Sequence, residues 1–154
     1  MLAEQGKTQG AKQEKIQDCE NPKVFKAKLE AKEKKLPKGL RTQIRRLKEA
    51  GKLEEVALVR KTAEQKKTRQ AIAADEFGKT LHEIVCTEDP VTQAALEIKI
   101  TWIMHAVRII ETTDERNAQI EEILKAQPPE ILPQVEALMP EIAKQVQPLM
   151  PLAG

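Results

Sequence analysis

A chain of 154 residues, 32% charged and 2% aromatic, fits one domain with extensions, and its core must rest on Leu, Ile, Val, Ala and Met. Nothing approaches the roughly 18 apolar residues of a membrane span, because Glu97, Lys99 and Arg108 interrupt the best candidate, and the six glycines are too scattered for a phosphate-cradling loop. The net charge of +2 conceals a division: residues 1–70 hold 20 Lys/Arg against 10 Asp/Glu, and residues 71–154 hold 6 against 14, so one half attracts polyanions and the other repels them.

Residues 1–20 are polar and rich in Gln, Lys and Gly, and are expected to form a disordered arm. They carry no apolar segment of the kind a secretory signal needs. Residues 21–70 read as a basic helical arm. Asn21-Pro22 is a helix start, a capping side chain before a residue whose missing N–H costs nothing at the first position. The helix that follows, to about Leu36, has a thin apolar face of Val24, Phe25 and Leu29. Pro37-Lys38-Gly39 breaks the chain. A second helix keeps its period through Leu40, Ile44 and Leu47, with Gly51 as its end or a weak point. Beyond Gly51 no proline occurs until Pro90. The pattern predicts a long helix with a polar middle, Glu64 to Gln70, that rejoins the body near Ile72 and has a potential kink at Gly78.

Residues 71–126 are the expected helical core. Its centre is the stretch 90–112, opened by Asp89-Pro90, with one stripe through Leu96, Ile100, Ile103, Val107 and Ile110 and another through Ile98, Trp102 and Ile109. A helix apolar on two sides is buried by several neighbours. Thr112 and Glu115 have capping-box spacing, which predicts a further helix over 114–126. Residues 127–154 form a proline-marked amphipathic tail with an internal repeat: PEILPQVEALM (129–139) aligns with PEIAKQVQPLM (140–150) at seven of eleven positions. A period of about 3.67 residues per turn holds one face with little drift. That face is Ile131, Val135, Leu138, Ile142, Val146 and Leu149, with Pro129, Pro140 and Pro151 together on another and expected to bend the helix. The predicted fold is all-α, an elongated helical assembly around a central buried helix.

Candidate chemistry is sparse. His82 and Cys86 lie one helical turn apart, and Cys19 and His105 complete the chain's four soft ligands. Residue type and one spacing are the whole of that signal, so no metal, no cofactor and no catalytic residue is expected. A Cys86 nucleophile paired with His82 or His105 would lack an oxyanion loop. The two cysteines stand far apart in sequence, and free thiols in a reducing compartment are expected rather than a disulfide. Contact chemistry is better represented. Lys34, Lys35, Lys38, Arg41, Arg45, Arg46, Lys48, Lys66, Lys67 and Arg69 are candidates for contact with nucleic acid or an acidic protein face. Interleaved aromatics, needed to stack single-stranded bases, are missing. The tail's apolar face is expected to pack on the chain's own domain or on a partner helix, most simply another copy.

These features predict a non-enzymatic structural or assembly protein, a homo-oligomer or a subunit of a larger viral or ribonucleoprotein particle, intracellular and not membrane-bound. The alternative is a DNA- or RNA-binding regulator that uses the basic helices 22–69.

Overall fold

The computed structural model describes residues 19, 21–53, 56 and 69–149. Among these the protein is all-α. The helices are α1 (Pro22–Glu33), α2 (Lys38–Glu49), α3 (Arg69–Cys86), α4 (Pro90–Ala106), α5 (Thr113–Lys125) and α6 (Leu132–Val146), followed by a short 3-10 turn over Gln147–Leu149. The expected disordered arm, Cys19 apart, and residues 64–68 of the polar middle of the expected long helix lie outside the described residues. No described helix is long and apolar enough to cross a membrane.

The start signals act as capping chemistry requires. The Asn21 side chain accepts from Lys23 N at 2.9 Å, Asp89 from Thr92 N at 3.2 Å, and Thr112 Oγ1 from Glu115 N at 3.1 Å. Each satisfies a backbone donor that the first helical turn leaves without a partner. The hydroxyl of Thr92 also bonds Asp89, and these bonds hold the Asp89 carboxyl below its ordinary range.

Helix ends are set by backbone geometry. Gly51 has φ +68, and past it Lys52 N reaches back to Leu47 O at 3.0 Å while Gly51 N bonds Lys48 O at 3.1 Å. This is a Schellman end, and it stops α2 outright. The helix expected over 90–112 ends the same way at Ala106. Arg108 takes the left-handed conformation (φ 63), Ile109 N bonds Met104 O at 2.8 Å, and Arg108 N bonds His105 O at 3.1 Å. Without glycine or proline, nothing in the composition marks this stop. Its effect is to release Ile109 to 37% exposure while turning Ile110 into the core. Gly78 causes no break, and α3 continues through it.

The two stripes of α4 serve two cores. Leu96 and Ile100 pack with Phe25, Leu29, Leu40, Ile44, Leu81 and Ile84 from α1, α2 and α3. Ala94, Ala95 and Ile98 pack with Ile120 and Ile123 of α5 and Val135 and Ile142 of α6, and Trp102 lies against this second cluster. Full burial of one such aliphatic side chain contributes about 1.5–3 kcal/mol. The basic helices therefore share one cluster with α3 and part of α4, and the tail shares the other with α4 and α5.

The tail is shorter as a helix than its repeat suggests. Pro128 to Ile131 form a turn, with Ile131 N bonded to Pro128 O at 3.1 Å, and α6 begins at Leu132 with Pro133 in its first turn. Its buried residues are Val135, Ile142 and Val146, with Met139 half-buried beside them. The face expected to include Leu138 is thus displaced toward Met139, and Leu138 is 40% exposed. Val135 and Val146 occupy equivalent places in the repeat, and both are fully buried. Pro140 lies inside the helix on its exposed side, where the carbonyl left without an N–H partner can meet water.

Candidate functional site

Two groups of side chains stand out from the packing. The first is the exposed surface of α1 and α2, two helices joined by the short turn at 34–37 and called the α1–α2 hairpin for that connection. Phe25 and Leu29 fix the inner face of α1, Leu40 and Ile44 that of α2, so the intervening positions turn outward. Lys23, Lys26, Lys34, Lys35, Lys38, Arg41, Arg45 and Arg46 are all exposed, against two exposed acids on the same hairpin, Glu30 and Glu49. On α2, Lys38, Arg41 and Arg45 recur at intervals of three and four and form one stripe. Lys48 is engaged instead with Glu33 at 2.8 Å, an ion pair that ties the two helices of the hairpin together. Arg69 lies in α3, and Lys66 and Lys67 lie outside the described residues.

Lys32 departs from this pattern. Its ammonium turns inward and donates to Ile84 O at 2.9 Å and to Thr87 O. It supplies donors to carbonyls at the end of α3, where the helix dipole also favours a cation. Burial lowers its pKa, and Lys28 lowers it further. Nearby Glu97 is 6% exposed. Burial raises its carboxyl to about 7, against the opposing pull of a Gln93 hydrogen bond and the Lys32 charge. No spacing in the sequence links Lys32 to Ile84 or Glu97, since they meet only through packing.

The second group gathers three of the four soft ligands. Cys19 and Cys86 form a disulfide, with Cα atoms 6.0 Å apart and a sequence separation of 67. This corrects the expectation of free thiols: the fold brings the segment before α1 against the last turn of α3, which separation along the chain could not reveal. His82 joins them, with a ring nitrogen and the two sulfurs all within 4.8 Å of one another. His105 does not. Its Nδ1 lies 3.2 Å from Arg116 Nη1, whose guanidinium stacks over Trp102 at 3.7 Å and donates through Nε and Nη2 to Asn117 Oδ1. Burial first and then the Arg116 charge lower the pKa of His105, which favours the neutral imidazole that can accept this bond. Among the described residues, the partners of the Arg116 cation are an imidazole, an amide and an indole face. A lone Arg in a helical first turn gave no sign of this.

The tail positions chosen as a partner surface are mostly spent inside the molecule. Val135, Ile142 and Val146 are buried in the chain's own core, Ile131 and Leu149 are half-buried, and Leu138 alone of the six is exposed. No family model, curated protein or solved structure matches this chain.

Proposed function

We propose that the protein acts by contact rather than catalysis, and that the outer face of the α1–α2 hairpin binds a polyanion, with double-helical nucleic acid as the ligand class. Support comes from one observation above all, the eight exposed Lys and Arg side chains of the hairpin set against two exposed acids. Cations carried along one face release counterions from a phosphate backbone and need no base-specific geometry. The ion pair between Lys48 and Glu33 links the two helices that present them.

The test is fluorescence anisotropy with a labelled duplex and a labelled structured RNA, across a salt series. The full chain is expected to bind with affinity that falls steeply with salt. Replacing Arg41, Arg45 and Arg46 together with Ala is expected to weaken binding roughly 10- to 100-fold near 0.1 M salt and to flatten the salt slope by about 2 to 3. Binding that ignores salt, or a triple variant that binds as well as the parent, overturns the proposal.

A second reading, a subunit of a larger assembly, draws on the exposed apolar side chains Ile72, Ile109 and Leu138. It expects a solution mass above the 17.3 kDa of one chain, brought back to that value by Leu138→Glu.

A further inference from the structure

The Cys19, His82 and Cys86 cluster has features that a cystine alone does not require. Cys19 is fully buried and His82 is 9% exposed. The imidazole is held from two directions, stacked on Phe25 at 5.6 Å and with Nδ1 3.2 Å from the carbonyl oxygen of Val56. A carbonyl oxygen only accepts, so Nδ1 carries the proton and the lone pair is left on Nε2. This is how a metal-ligating histidine is prepared: an outer acceptor fixes its tautomer and its ring plane. His82 and Cys86, one turn apart on α3, project to the same side of the helix, and Cys19 meets them from a separate segment.

We propose that in its dithiol form this cluster binds one zinc ion, through the sulfurs of Cys19 and Cys86 and the imidazole of His82, with water in the fourth position. Two thiolates and one imidazole are a borderline-soft donor set that suits zinc and not calcium or magnesium. The two thiols release their protons to solvent as the dication binds, leaving a site of zero net charge, which suits its buried position. Tetrahedral zinc with Zn–S bonds of about 2.3 Å sets its two sulfurs about 3.8 Å apart. The cystine and the zinc site are therefore alternative states of one pair of side chains. Passage from the first to the second needs a reductant. A phosphine supplies two electrons to the S–S bond, water supplies the protons and an oxygen, and the products are two thiols and the phosphine oxide.

The experiment takes the full chain, reduces it with a water-soluble phosphine, removes metal with a chelator, and titrates in cobalt(II) and then zinc(II). One cobalt per chain is expected, with visible bands of a tetrahedral, sulfur-ligated ion that zinc then bleaches. At free zinc about 100 times the Kd, the reduced chain is expected to gain roughly 5–10 °C in Tm. The oxidised chain should take up no metal. Cys19→Ser and His82→Gln should each lose the cobalt spectrum, with far-ultraviolet circular dichroism reporting whether each variant folds. If reduction unfolds the chain, zinc is expected to restore the helical signal. A reduced chain that binds no cobalt, a spectrum that persists in folded His82→Gln, or unfolded dithiol that zinc does not rescue would each overturn the proposal.

Discussion

Glu97 and Arg108 are single residues whose surroundings oppose their chemistry, and both yield measurable consequences. The Glu97 carboxyl titrates near 4.5 in an unfolded chain and is raised by burial to about 7 in the folded one. Between those values the folded state holds a proton that the unfolded state has lost, so stability falls as pH rises through that window and levels off above it. The fall attributable to this group is on the order of 3 kcal/mol. Urea denaturation at pH 4.5 and pH 8 is expected to show it, and Glu97→Gln should remove most of that difference. Arg108 pays a left-handed conformational cost of roughly 1–2 kcal/mol. Arg108→Gly should relieve it and stabilise the protein by roughly 0.5–1 kcal/mol, after allowing for the entropy glycine loses on folding. Lys32 presents the opposite case, a cation whose partners were invisible in sequence. Lys32→Met leaves the carbonyls of Ile84 and Thr87 without their charged donor, and is expected to cost about 1.5–3 kcal/mol in the same denaturation assay.

Among the helices, what could be read in advance was what depends on neighbours in sequence. Caps at Asn21, Asp89 and Thr112 involve residues two or three positions apart, and all three form. The two stripes of the helix over Pro90–Ala106 predicted neighbours on two sides, and the two hydrophobic clusters supply them. The end of that helix was not legible, because the αL residue is an arginine and its position is fixed by Ile110 entering the core. The tail shows the same boundary between local and global information. Its repeat correctly placed Val135 and Val146 on one face, but whether that face centres on Leu138 or Met139 depends on the shape of the surface beneath it. Ile142→Ala is expected to cost about 2–5 kcal/mol, and Leu138→Ala no more than about 0.5. A denaturation experiment giving similar values for the two would mean that the face has been assigned to the wrong side of the helix.

For the molecule as a whole, the charge division visible in composition puts most of the exposed cations on α1, α2 and the turn between them, although α3, almost all of it from the acidic half, packs with them. The basic helices share one hydrophobic cluster with α3 and with Leu96 and Ile100, and α5 and α6 share the other with Ile98. Such an arrangement favours approach of a polyanion from the hairpin side. The soft ligands were nameable from the sequence, but their grouping was not: three converge and His105 goes elsewhere, because residues distant along the chain meet only through the fold. That convergence has a topological result. The bond between Cys19 and Cys86 makes a covalent circle that contains the whole basic hairpin. In the chain-entropy model a circle of 67 residues disfavours the unfolded state by about 4 kcal/mol. A protease that nicks the backbone once anywhere between the two cysteines should leave the pieces migrating as one species in a non-reducing gel and as two after thiol treatment, so the electropositive lobe stays fastened to the body even when its polypeptide connection is severed.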